Sequence, residues 1–214
     1  MATVTPGESA VRKGLWVILI ALGCAACAPR TAPWPDNYRL TVSRDDPGPG
    51  SPAFPETTLR LTLVQGPFSA AGQSMYYSLQ YRSPVHVARY SQARWAAPPG
   101  RMIGRTVKAW LAKSGHWGAV LGPDEAGTAD YVLRLEVQEF MQVFPAPKES
   151  RAVLAVQAGL QGPGGTEPRQ RRFSYHRVTP RADAGAAAEG QNRNLERLCR
   201  DLERWLSRQM DNPI

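Results

Sequence analysis

The residues most constrained by their neighbours are the cysteines, and the chain has three: Cys24, Cys27 and Cys199. Cys24 and Cys27 have the C-x-x-C spacing of a redox or metal pair. Such a pair opens a helix after a buried strand. Here it closes the apolar run "GLWVILIAL" (residues 14–22) and precedes Pro29 and Arg30, a poor setting for thiol redox chemistry. Cys199 falls among leucines, "LERLCRDLERWL", where a buried inert thiol is expected. The histidines, His86, His116 and His176, have no metal-ligand spacing and no carboxylate at a relay offset. There is no G-x-S-x-G nucleophile elbow, and "QGPGG" (residues 161–165) lacks the Lys-Ser/Thr ending of a phosphate loop. These absences predict a protein without enzymatic activity, metal or cofactor.

The chemistry that does fit residues 1–30 is cleavage and lipidation. Arg12 and Lys13 precede the apolar run, and the small Gly23 ends it just before Cys24. That order is the grammar of a secretory signal. A membrane span needs about 20 apolar residues, and this run stops at Ala28 at the latest. "IALGC" resembles a lipobox: a small residue admits the signal peptidase, and the thiol accepts a diacylglyceryl group. Leu22 stands one place later than the leucine of the usual pattern, where this chain has Ala21, and "CAAC" offers a second site. The reading is a signal peptide over residues 1–23, with lipidation at Cys24 and Cys27 as the alternative. Stable anchoring takes more than one acyl chain, which a bacterial lipoprotein of this kind carries. Neither Ala25 nor Ala28 is the Asp that holds lipoproteins at the inner membrane of enterobacteria. The expected location is therefore the periplasmic face of the outer membrane.

The rest of the chain must fold and position something. It is 43% hydrophobic and 21% charged, as folded domains are. The formal charge is +8; removing residues 1–23 leaves 24 basic and 17 acidic residues. No zinc finger, helix-turn-helix or base-stacking motif accompanies that charge, so nucleic acid is not an expected partner. An anionic membrane surface explains it as well. Residues 24–36 form a lipidated, proline-rich tether, and residues 37–210 the folded domain.

Within the domain, "NYRLTV" (37–42) and "LRLTLVQ" (59–65) alternate as strands, separated by a Pro/Gly/Asp loop over residues 43–57 that is expected to hold neither strand nor helix. "SMYYSLQYRS" and "VHVARY" predict a hairpin broken at Pro84. A helix is predicted after Pro99, with Ile103, Val107, Trp110 and Leu111 as its apolar stripe and Gly115 as its stop. "WGAVLG" is a short strand. "DYVLRLEVQEFMQVF" puts Tyr131, Leu133, Leu135 and Val137 on one face. "RAVLAVQAGLQ" and "RQRRFSYHRV" pair around "GPGGTEP". From Gly190 on, Leu195, Leu198, Cys199, Leu202, Trp205 and Leu206 make an amphipathic helix. The expectation is an α+β fold, with a single mixed or antiparallel sheet and two amphipathic helices packed on one face.

These pieces together resemble a family. "YSQARWAAPPGRMIGRTVKAWL", "ADYVLRLEVQEF" and "NYRLTV", in that arrangement behind a lipobox, are similar to the ABC-type transport auxiliary lipoproteins. The resemblance spans roughly residues 37–209 and makes Tyr38, Trp95, Tyr131, Leu133, Phe140 and Trp205 its motif residues. It implies a non-enzymatic component of a lipid route between the two membranes, working beside an MCE-domain protein and an ABC transporter permease and ATPase. A homo-oligomer is a further expectation. The alternative is an envelope-assembly lipoprotein that binds lipopolysaccharide or activates a cell-wall enzyme. One stretch suggests a contact: Arg169, Arg171, Arg172 and Arg177, with Arg181 beyond, would meet anionic headgroups or an acidic partner, or else be a solvated strand face.

Overall fold

The alternation from Tyr131 onward builds the longest strand, β6 (Tyr131–Ala146), and the rest of the sheet is arranged along it. A computed structural model describes residues 34–42, 44, 53–64, 66, 72–165 and 167–211. The folded unit begins at Pro35; Cys24, Cys27 and the apolar run lie outside the described residues. In chain order the elements are β1 (Asp36–Tyr38), β2 (Phe54–Val64), β3 (Ser74–Leu79), β4 (Val87–Trp95), α1 (Pro99–Lys113), β5 (Trp117–Leu121), β6, β7 (Glu149–Gln161), β8 (Arg169–Val178) and α2 (Ala184–Asp211). The eight strands form one mixed sheet.

One edge of β6 is shared. Its first half pairs in parallel with β2, from Leu59↔Tyr131 to Val64↔Glu136. Its second half pairs in parallel with β3, at Tyr77↔Gln142 to Leu79↔Phe144. Between them a bulge falls between Val137 and Glu139. A bulge shifts the alternation by one residue, so the core side passes from Leu133, Leu135 and Val137 to Phe140. The other edge of β6 is taken along nearly its whole length by β7, antiparallel, and β7 passes the ladder on to β8. β4 and β1 extend the sheet beyond β3, and β5 extends it beyond β2.

Both helices lie on the same side of the sheet and touch each other. α1 starts with Pro99, whose fixed φ suits the first helical position. It buries Ile103, Val107, Trp110 and Leu111. It ends before Gly115, which takes the φ of +67° that a residue with a Cβ avoids. α2 buries Leu195, Leu198, Cys199, Leu202, Trp205 and Leu206 against β6, β7 and β8. Each fully buried leucine here contributes about 1.5–3 kcal/mol. The backbone of α2 comes close at Gly190, where a Cβ would sit 2.7 Å from the Cβ of Ala152.

Three boundaries differ from the sequence reading. β2 begins inside the Pro/Gly-rich stretch, at Phe54, and includes Pro55. The ladder to β5 shifts register between Phe54 and Thr58, so Pro55 stands where no regular strand N–H is needed. β1 stops at Tyr38 instead of continuing to Val42. The side chain of Asn192 on α2 accepts from the Thr41 N–H at 2.7 Å and donates to the Arg39 carbonyl, replacing a strand partner there. α2 starts six residues before Gly190 because Asp183 caps it, accepting the Ala186 N–H at 2.7 Å.

Candidate functional site

β8 places its residues on two faces. Phe173 and Tyr175 look toward α2: the Phe173 ring meets Trp205 edge-on at 6.1 Å, and the Tyr175 hydroxyl donates to Asp201 at 2.9 Å. Arg169, Arg171 and Arg177 share that face by alternation. Arg172, Ser174, His176 and Val178 lie on the other.

The arginines have different surroundings. Arg169 donates to the Gln209 carbonyl and to its side-chain oxygen, at 3.2 and 2.8 Å, which ties β8 to the end of α2. Arg171 stacks over Phe173 at 5.1 Å. Arg172 pairs with Glu139 at 3.2 Å, both more than a third exposed. The Nε of Arg177 is buried with no hydrogen-bond partner, and among the described residues neither Arg171 nor Arg177 has a carboxylate within ion-pair distance. Arg197 of α2 lies 6.0 Å from the Tyr175 ring and 3.7 Å from Asp201. A concavity of about 390 Å³ runs along β8 from Arg171 to Arg177 and is completed by Asn194, Arg197 and the acidic Asp201 of α2. Burial, and then the bond to Asp201, push the Tyr175 hydroxyl above its ordinary pKa, so it remains a donor at neutral pH. Arg171, Arg172, Arg177 and Arg197 outnumber Asp201 here, so the surface is net positive and can hold carboxylate or phosphate oxygens.

The motif residues are elsewhere, in the core. Trp95 is buried with its ring 5.0 Å from that of Phe140. Tyr38 pairs across the ladder with Trp95, and Tyr131 opens β6 against the core. Leu133, Phe140 and Trp205 are buried. None of them lines the β8 concavity.

Two polar clusters escaped the sequence reading. The carboxylate of Glu203 on α2, only 8% exposed, sits where α1, α2 and the turn before β5 meet. It accepts from Arg44 at 2.6 and 2.9 Å and from Trp110 Nε1 at 2.7 Å, with His116 Nε2 at 3.1 Å. Arg44 also covers the Trp110 ring at 5.4 Å. The nearby hydroxyl of Ser114 donates to the Leu111 carbonyl at 2.6 Å, so it is engaged in ending α1. The spacing held a signal: Glu203 is four residues after Cys199 and eight after Leu195, hence on the buried stripe. The second cluster joins Tyr90, Gln142, Ser150 and Thr179 through bonds of 2.5 to 3.3 Å. Burial, followed by the charges of Tyr77 and Asp183, pushes Tyr90 up to about 12. Its members are far apart in sequence, so no local pattern announces it.

A second concavity, about 810 Å³, runs beside α1, with Leu61, Leu63 and Leu135 on its floor and Arg101, Arg105 and Lys108 along its rim. Cys199 is buried; desolvation, with Glu203 and Glu196 nearby, pushes its thiol pKa up, away from reactivity. Among the described residues no helix is long and apolar enough to cross a membrane, and no group of three or more potential metal ligands occurs.

Residues 49–203 match the family described as the ABC-type transport auxiliary lipoprotein component. The chain belongs to that family. No curated protein matches it. The fold is similar to the crystal structure of protein XCC0632 from Xanthomonas campestris, with a TM-score of 0.68 and 22% identity over 82% of this chain and 98% of that one. A second crystal structure, of an uncharacterized protein, has a TM-score of 0.61 at 15% identity, covering 81% of this chain and 99% of the other. The PelC dodecamer from Paraburkholderia phytofirmans reaches only 0.36 at 11% identity, over 72% and 94% of the two chains. That likeness is too slight to bear on assembly. The first two of these structures share the overall fold seen here.

Proposed function

We propose that this protein is a lipid-anchored, non-enzymatic auxiliary component of an ABC transporter that works with an MCE-domain protein to move lipid between the inner and outer membranes. The observation that carries the reading is the family match over residues 49–203, which covers β2 to β8, α1 and most of α2. It follows a signal-like run ending in Cys24. In this reading Cys24, with Cys27 as the alternative, carries the acyl chains at the periplasmic face of the outer membrane. Residues 24–36 space the domain from the lipid surface. The buried motif residues Trp95, Leu133, Phe140 and Trp205, with the partly buried Tyr38 and Tyr131, hold the sheet and helices together, and Arg169, Arg171, Arg172 and Arg177 meet anionic headgroups or the partner complex.

The test is metabolic labelling with palmitate, combined with membrane fractionation. Wild type takes up label and sediments with outer membrane. Cys24→Ser loses the label; retention of label by that variant moves the anchor to Cys27. No label in wild type, or none lost from the Cys24→Ser/Cys27→Ser double variant, overturns the anchor.

A further inference from the structure

β8 is the long free edge of the sheet. Its ten residues pair with β7 in unbroken register, and among the described residues no strand lies on its other side. In an antiparallel ladder alternate residues turn both backbone groups away from the partner, so about half of β8 presents N–H and C=O outward. Proteins shorten, kink, cover or charge such edges to avoid unwanted pairing, and on β8 the guard is charge, from Arg169, Arg171, Arg172 and Arg177. The strands at the other two ends of the sheet are short: β1 has three residues and β5 has five. β8 is neither shortened nor bulged, and it contains no proline.

Its side chains set the sign of what can be added. Arg171 and Arg177 lie on the α2 face, with Arg197 beside them, and Arg172 lies on the opposite face. Two copies of β8 paired edge to edge would set arginines near arginines on a strand with no acidic residue of its own, and like charges across a ladder repel. A second copy is a poor occupant. An extended chain with carboxylates opposite Arg171 and Arg177 suits both the open backbone and these two guanidinium groups.

We propose that β8 accepts an extended acidic segment of another protein as an added strand. The ladder supplies affinity, and Arg171 and Arg177, six residues apart on one face, select the carboxylates that lie opposite them. The proposal rests on the reading of the β8 arginines as a contact surface; it does not depend on where the chain is anchored.

The test uses the full chain in non-ionic detergent and a fluorescent ten-residue peptide alternating glutamate with threonine. Saturable binding is expected, with added hydrogen-exchange protection in β8. Three changes should each weaken binding about tenfold or more: lysine for glutamate in the peptide, full N-methylation of its backbone, and Arg171→Glu/Arg177→Glu in the protein. Should that double variant unfold, Arg171→Gln/Arg177→Gln replaces it with the same expectation. Absence of saturable binding overturns the proposal. So does equal binding of the N-methylated peptide, which would mean charge without strand addition. Loss of vesicle binding in the variant, with phosphatidylglycerol bound and the peptide ignored, assigns the arginines to lipid. Self-association abolished by the variant assigns the edge to a second copy. Either result overturns the strand while leaving the anchor and the transport role standing.

Discussion

Replacing Glu203 by glutamine keeps its shape and removes its charge. The carboxylate is buried, with 11% of its side chain exposed, and Arg44 opposite is 10% exposed. Glutamine can still accept the Trp110 N–H, but its amide then faces the Arg44 guanidinium donor to donor. Breaking a buried ion pair from one side costs about 3–5 kcal/mol, since the remaining charge stays in a poor medium. The glutamine oxygen still accepts the Trp110 N–H, so the low end, about 3 kcal/mol, is expected. For a domain of this size each kcal/mol is worth about 2–4 °C, so the melting temperature should fall by roughly 6–12 °C. The comparison is Glu196→Gln, which breaks the exposed pair with Arg200 on the same helix. That change should cost at most about 1 kcal/mol. Thermal and urea denaturation of both variants, with Arg44→Met and the Arg44→Met/Glu203→Gln double, completes a cycle. The double variant should be less damaged than the two single losses added together. A Glu203→Gln effect as small as that of Glu196→Gln would refute the claim that this cluster joins loop, α1 and α2.

Other regions give independent expectations. Asp183→Ala removes the α2 cap and should cost about 1 kcal/mol. The Ala186 N–H, and then Arg181, hold the Asp183 carboxyl below its ordinary pKa. The cap's contribution is therefore complete above the unfolded value of about 4 and is lost as pH falls through the lower folded value. Melting curves from pH 7 downward should show the gap between wild type and Asp183→Ala closing in that acid range; a constant gap contradicts the assignment. Gly190→Ala forces a Cβ toward that of Ala152 and should cost about 1–3 kcal/mol. Gly159→Ala, with nothing within 4 Å of the added carbon, should cost little by the same denaturation assay. Cys199 should resist maleimide in the native state and react only on unfolding, read by peptide mass spectrometry; fast native labelling would contradict its burial.

Periodicity made the two helices and the core face of β6 legible, because a single residue's neighbours at fixed offsets decide its side. Ile103, Val107, Trp110 and Leu111 are buried as their spacing requires. Where the reading missed, long-range partners decided. Pro55 enters a strand only because β5 meets it at a register shift, and β1 ends early because Asn192 of α2 takes its backbone groups. Asp183 followed by an alanine-rich run was a readable cap. The shared edge of β6 was not readable, since no local pattern says that two strands divide one ladder. The arginine stretch was visible in composition, yet only the structure separates Arg169 and Arg172, which have partners in α2 and β6, from Arg171 and Arg177 on an open edge.

The most direct measurement of the transport role is quantitative affinity purification of the tagged, full-length protein from cross-linked cells, with the bound proteins identified by mass spectrometry. The expected result is stoichiometric recovery of an ABC permease and ATPase together with an MCE-domain protein. Recovery without any of these, or with a cell-wall enzyme in their place, would contradict it.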